Sequence, residues 1–198
     1  MADHGWNRHG QRIEDYRDVH NVGRGPTFYA FRKFVTKKMG VREQDFQGKP
    51  HKVIFSKFSS KNPSRRVSFE KQIQAVRAAF SDDLVVVEEH VLSELSLSEQ
   101  VQLATETSVF VSVVGGSACT ASFLPRGSSV ILFFNDVNEF TGRSPRKDFP
   151  SMIDWDWWEN ASYLQVQWLP MRTMDLDVDL RALTEVIRGV ITNRDALM

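Results

Sequence analysis

The amino-acid sequence predicts an α/β fold in which a Rossmann-like parallel sheet carries helices on both faces. From residue 50 onward, short runs rich in β-branched residues alternate with longer segments of helical period. The short runs are almost continuously apolar, as strands buried on both faces of a parallel sheet must be. The length of 198 residues and the hydrophobic content of 41% supply one sizeable core rather than two large ones.

Residues 1–26 are polar and follow neither a helical nor a strand period, so we expect a flexible N-terminal arm ahead of one domain over residues 27–198. A helix is predicted from Thr27, because its apolar residues are spaced as one helix face would be, and Gly40 is expected to end it. The apolar residues are Phe28, Phe31, Phe34 and Val35. The outer face of this helix is predicted to be basic and to consist of Arg32, Lys33, Lys37 and Lys38.

The rest of the chain predicts four strands and three helices. The strands are expected at residues 52–56, 84–87, 108–114 and 129–134, and the helices at 68–80, 96 to about 105, and 179–193. Ser96 and Glu99 form a capping box at the start of the second of these helices. Ligands of such sheets bind beyond the carboxyl ends of the strands, so the loops after residues 56, 88 and 114 are the candidate binding loops.

Charge and cysteine content narrow the function classes. Lys+Arg and Asp+Glu both total 25, which argues against a generic nucleic-acid binder. The distribution is uneven, since residues 1–66 hold 15 basic and 6 acidic residues and the remainder holds 10 and 19; the first third is expected to meet phosphate, a polyanion or the acidic remainder of the chain. One cysteine, Cys119, excludes an intrachain disulfide, and no metal site or membrane span is expected.

Gly115, Gly116 and Ser117 follow the third predicted strand. Two explanations of these glycines stay open. Backbone N–H groups at the start of a helix could approach a diphosphate closely, or a tight turn could require a positive φ.

The wider context resembles the signature stretch of glycosyltransferase family 61. A helix containing Glu99-Gln100-Val101 precedes a strand, the glycine loop, the run 123–127 (Phe-Leu-Pro-Arg-Gly) and another strand. Members of that family usually read His-Gly-Ala-Gly-Leu-Thr-Asn before Phe-Leu-Pro-Pro-Gly, and the similarity covers about residues 27–195. The resemblance implies the C-terminal, donor-binding half of a GT-B glycosyltransferase, which transfers a sugar from a nucleotide-activated donor to a glycan or protein acceptor without a bound cofactor.

The resemblance also implies the residues that hold the nucleotide sugar. Lys57 takes the position of one family arginine that contacts the donor diphosphate, and Arg66 or Arg65 takes the second, although a solvated basic loop is the alternative. The backbone of the glycine loop would complete the diphosphate site. Glu89, after the second strand, either accepts a hydrogen bond from a ribose or sugar hydroxyl or is a plain surface residue.

Two departures from the family pattern bear on activity. Val114 stands where the family has its histidine, so either the donor is bound differently or catalysis is impaired, and no catalytic residue is assigned. A non-catalytic domain that keeps the fold is therefore an alternative, and an unrelated nucleotide-binding protein is a third hypothesis. Family members also carry an N-terminal acceptor domain and a membrane anchor, both expected outside this sequence; the protein would lie in the Golgi lumen with such an anchor and be soluble inside the cell without it.

Overall fold

The computed structural model describes residues 25–41, 50–57, 67–135, 157–158, 161–171 and 180–196. Five parallel strands form one sheet in the order β2-β1-β3-β4-β5. They are β1 (His51–Ser56), β2 (Val85–His90), β3 (Val109–Val113), β4 (Ser129–Asn135) and β5 (Gln165–Met171). The winding reverses between β1 and β3, because the chain passes from β1 to β2 on one side and then to β3 on the other.

Helices cover both faces of the sheet, which confirms the predicted fold class. The α-helices are α1 (Gly25–Lys38), α2 (Glu70–Ala79), α3 (Leu97–Thr105) and α4 (Leu180–Ala196). A 3-10 helix over Gly116–Phe123, called here the glycine-loop helix, follows β3. Helices α2 and α4 pack on one face, and α1, α3 and the glycine-loop helix pack on the other. None of the helices in the described part of the chain has the length and apolar character needed to span a membrane.

The two-sided core follows from the alternation of side chains along the strands. In β1, Val53 and Phe55 face α2 and α4, whereas Ile54 faces the glycine-loop helix. Phe110 of β3 lies on the same face as Ile54, and Val111 lies on the opposite face. Each of these side chains is fully buried, and burial of one such side chain stabilises the fold by about 1.5–3 kcal/mol.

Strand β5, over residues 165–171, is not predicted by the sequence pattern. Two glutamines, Gln165 and Gln167, alternate here with Val166 and Trp168, so the segment lacks the continuous apolar run used to find the other strands. Strand β5 pairs with β4 at the edge of the sheet. An edge strand tolerates Pro170, because the missing N–H need not pair with a further strand.

The prediction that Arg32 lies on the outer face of α1 was wrong. Arg32 is buried, with 2% of its surface exposed, whereas Phe31 and Phe34 are 52% and 60% exposed. The guanidinium Nε of Arg32 donates to the carbonyls of Phe123 (3.1 Å) and Leu124 (2.7 Å) at the end of the glycine-loop helix. A helix end leaves carbonyls that need donors from elsewhere, and this need places Arg32 inside.

The ends of α1 and α3 agree better with the sequence. Helix α1 begins at Gly25, two residues before the expected start, and Gly40 follows its end with a φ of 67°, as predicted. At α3, the Ser96 hydroxyl accepts the Glu99 N–H and the Glu99 carboxylate accepts the Ser96 N–H. The predicted capping box is therefore confirmed, and its hydrogen bonds lower the pKa of the Glu99 carboxyl.

Candidate functional site

Lys57 and the glycine loop lie at the carboxyl edge of β1 and β3, and each belongs to a stretch that the sequence marks as a candidate binding loop. These strands are neighbours with Phe55 opposite Val111, and adjacent strands lie about 4.8 Å apart. Lys57 follows β1, and the glycine loop follows β3, so the structure brings both to one edge of the sheet. The winding of the sheet reverses between these two strands, and ligands of open α/β sheets bind at such switch points.

The two glycines of the loop differ in what the backbone requires of them. Gly115 has a φ of 131° and a ψ of −166°, a conformation that is essentially restricted to glycine. Gly116 has no positive φ, and a Cβ built on it meets no atom within 4 Å. The tight-turn explanation therefore accounts for Gly115 and leaves Gly116 without a structural reason.

Backbone donors are exposed at the start of the glycine-loop helix. The N–H of Ala118 donates to the carbonyl of Gly115 (3.0 Å), which is the first hydrogen bond of the helix. The N–H groups of Gly116 and Ser117 come before this bond and so have no carbonyl partner within the helix. Gly116 is exposed and Ser117 is half-exposed, so a ligand at the sheet edge can reach both residues.

Gln100 fixes the glycine-loop helix from the side. Its amide nitrogen donates to the carbonyls of Leu92 (2.9 Å) and Leu95 (3.1 Å), and its amide oxygen accepts the hydroxyl of Thr120 (2.9 Å). All three partners lie outside α3. Gln100 therefore has a positioning role, because it ties α3 to the middle of the glycine-loop helix.

The far half of the same helix is held by two aromatic residues. The indole N–H of Trp157 donates to the Ser122 hydroxyl (3.1 Å), and the hydroxyl of Tyr163 donates to the Ser122 carbonyl. Burial raises the pKa of Tyr163 to about 12, so its hydroxyl keeps the proton that makes this bond. The helix is therefore anchored at its middle and its end, while its first residues face the edge of the sheet.

Two of the predicted site residues pair with each other. The Lys57 ammonium lies 3.7 Å from the Glu89 carboxylate, with 50% and 30% of the side chains exposed. The Lys57 N–H also donates to the carbonyl of His90 (2.8 Å), which holds the backbone beside β2. Exposed ion pairs contribute roughly 0–1 kcal/mol, so Lys57 can exchange this carboxylate for another anion at little cost.

The residues around Glu89 form a separate chain of polar contacts. His90 Nε2 lies 2.8 Å from the Glu88 carboxylate, and the second oxygen of Glu88 lies 3.7 Å from the Lys52 ammonium. Lys52 also contacts Glu106 at 3.2 Å. Alternation along β1 places Lys52 on the same face of the sheet as Ile54 and opposite to Phe55. The contacts of Lys52 therefore lie on a different face from the ion pair between Lys57 and Glu89.

Ser56 is a buried polar residue at this edge that is not among the predicted site residues. It ends β1, is fully buried, and its hydroxyl has no hydrogen-bond partner among the described residues. The corresponding end of β3 carries buried Ser112, whose hydroxyl donates to the Val113 carbonyl (2.9 Å). A serine that follows an apolar run near the carboxyl end of each of these two strands is the sequence signal that could have identified them.

Other predicted features of the site lie outside this arrangement. Val114 packs partly buried against the hydrophobic core, and its N–H donates to the Phe133 carbonyl. Arg65 and Arg66 lie outside the described residues. In the ranges that the structure describes, no group of three or more His, Cys, Asp or Glu side chains is placed to hold a metal ion.

In comparisons with known proteins, no family model matches the chain, and no curated protein is similar to it.

Proposed function

We propose that the chain binds the diphosphate of a nucleotide sugar between the carboxyl ends of β1 and β3. The observation that carries this proposal is Gly116. A glycine at a helical position costs roughly 0.5–1 kcal/mol relative to alanine, yet neither its φ nor its surroundings require one here. The missing side chain is explained when an anion must approach the N–H groups of Gly116 and Ser117 closely.

Lys57 supplies the positive charge in this proposal. Its ammonium would leave Glu89 for the diphosphate, and Glu89 could then accept a hydrogen bond from a ribose or sugar hydroxyl. Arg65 and Arg66, which follow β1 in the sequence and lie outside the described residues, would add to the positive charge. The N–H groups and cations would stabilise the charge that develops on the departing nucleoside diphosphate.

We further propose that the domain is the donor-binding half of a family 61-like glycosyltransferase of GT-B type. Support comes from the sequence motifs around Gln100 and the run 123–127, and from the sheet order and edge geometry. In this proposal a separate N-terminal acceptor domain provides the base that activates a glycan or glycoprotein acceptor, and the complete protein acts in the Golgi lumen.

A non-catalytic, nucleotide-binding domain is the second candidate function. It is favoured by Val114, which packs against the core where the family has an imidazole. Both candidate functions require binding of the nucleotide sugar, but only the glycosyltransferase turns it over. Release of nucleoside diphosphate from the donor, in the presence of candidate acceptors and the full-length protein, supports the enzyme; tight donor binding without release supports the second candidate.

Calorimetry with a panel of UDP- and GDP-linked sugars tests the binding site. We expect one or more donors to bind, and we expect Gly116→Val to abolish binding with little change in thermal stability, because its side chain has room but obstructs the N–H groups. Gly189→Val is the matched control, since Gly189 is an exposed helical glycine of α4 with equal space around it. Absence of heat with every donor, or equal loss of binding in both variants, contradicts the proposal.

A further inference from the structure

Helix α1 exposes an apolar surface with a basic rim, defined here as Phe31 and Phe34 with Lys33, Lys37 and Lys38. Three large hydrophobic side chains are exposed in the described part of the chain, and two of them are Phe31 and Phe34. Since a phenylalanine can bury 150–250 Å², their exposed fractions of 52% and 60% leave roughly 200 Å² of aromatic surface in water.

This surface extends beyond two isolated side chains. The ring of Phe31 lies 6.5 Å from the half-buried ring of Phe123, and the ammonium of Lys38 lies 5.9 Å from the ring of Phe34. The opposite side of α1 is already occupied, because Arg32 and Thr36 are buried there and Arg32 donates to the end of the glycine-loop helix. The residues of α1 include no aspartate or glutamate, so the only charges that α1 offers to an occupant of its exposed face are positive.

We propose that the N-terminal segment of this same chain covers the surface, through residues 13–19. These residues supply three apolar side chains, Ile13, Tyr16 and Val19, interleaved with three carboxylates and a single arginine. Apolar groups for the two phenylalanines and carboxylates for the three lysines are the complementary chemistry. The carboxylates belong to Glu14, Asp15 and Asp18.

The length of the connection suits this occupant. Residues 20–24 separate the segment from Gly25, the first residue of α1, and five residues span at most about 18 Å. Phe31 and Phe34 lie about 9 and 13.5 Å along the helix from Gly25, at 1.5 Å per residue. Residues 13–19 therefore reach both rings, and the short tether gives them a high effective concentration at the surface.

Disulfide trapping in the full chain tests the proposal. In a Cys119→Ser background, Arg17→Cys is combined with Ala30→Cys, which lies on the exposed face of α1 beside the two phenylalanines. We expect an intramolecular disulfide whose rate of formation falls at least about fivefold when Phe31→Ser and Phe34→Ser are added, and also falls in 0.5 M salt. Leu97→Ser, at the third exposed hydrophobic residue, is the matched control and should leave the rate unchanged.

Each other outcome overturns the proposal. A rate that does not respond to loss of the two rings means that the segment meets α1 by chance encounters. A disulfide between two chains that forms faster at higher protein concentration assigns the surface to a second copy. Sedimentation of the uncrosslinked full chain with phosphatidylserine vesicles, lost in the Phe31→Ser and Phe34→Ser variant, assigns it to a lipid surface.

Discussion

Replacement of each glycine of the glycine loop by alanine separates what the fold needs from what a ligand needs. Gly115 has a φ of 131°, and forcing a side-chain-bearing residue into such a conformation costs on the order of 1–3 kcal/mol. Gly116 has an ordinary φ and open space around a Cβ. Gly116→Ala should therefore gain roughly 0.4–1 kcal/mol, because the unfolded chain loses conformational freedom.

These free energies translate into melting temperatures that are easily measured. For a chain of this size, 1 kcal/mol shifts Tm by about 2–4 °C. At the middle of the range, Gly115→Ala lowers Tm by about 4–8 °C, whereas Gly116→Ala raises it by up to about 4 °C. Differential scanning calorimetry on both variants and the parent protein provides the comparison.

The order of the two variants should reverse when the stabilisation by added UDP is compared instead of the stability without ligand. Gly116→Ala adds a methyl group beside the N–H groups proposed to bind diphosphate, so we expect it to be stabilised less by added UDP than the parent is. Gly115→Ala should keep most of that stabilisation where it remains folded. The reasoning is refuted if Gly116→Ala is the less stable variant, or if UDP raises its Tm as much as that of the parent.

Three further predictions follow from individual side chains. Arg32→Met should lower the free energy of unfolding by about 2–4 kcal/mol in urea titrations, because two carbonyls lose a charged donor, whereas Lys33→Met on the exposed face should change it by less than about 0.5 kcal/mol; similar losses in both would contradict the role of Arg32. Since burial raises the pKa of Tyr163 to about 12, the folded state keeps a proton that the unfolded state loses from about pH 10. Stability should therefore fall by up to about 1.4 kcal/mol per pH unit between pH 10 and 12, and a Tyr163→Phe variant with an unchanged slope would exclude this cause. Lys57→Arg should tighten UDP binding and leave uridine binding unchanged, because a guanidinium can bind phosphate through two parallel bonds; calorimetry with no gain for UDP would assign Lys57 to a solvated basic loop.

The sequence predicted most of the sheet because its strands obey a local rule. Strands β1, β3 and β4 are buried on both faces, and this requirement is visible in runs such as Val109-Phe110-Val111. Strand β2, at the other edge of the sheet, begins with a run of three valines that is equally visible. Strand β5 was not predicted because its glutamines and its proline interrupt the apolar run. These residues suit an edge position, and the order of the whole sheet decides which strand lies at an edge. The positions of the loops at the carboxyl ends followed directly from the strands.

What the sequence could not predict depends on distant partners and backbone angles. Arg32 looked like part of a basic outer face, since its inward position is decided by carbonyls about ninety residues later in the chain. Gly115 and Gly116 are identical in sequence terms, and only their φ angles separate a required glycine from one that the backbone does not need. The contact between Lys57 and Glu89 likewise depends on the register of β1 with β2.

The 3-10 form of the glycine-loop helix affects how far the glycine loop reaches. Eight residues rise about 16 Å at 2.0 Å per residue in a 3-10 helix, but about 12 Å at 1.5 Å per residue in an α-helix. A 3-10 run of this length is unusual because its hydrogen bonds are poorly aligned, so contacts such as those of Gln100 and Arg32 must hold it stretched. If those contacts were lost, relaxation to an α-helix would shorten the helix by about 4 Å, enough to draw the first N–H groups back from the rim of the sheet.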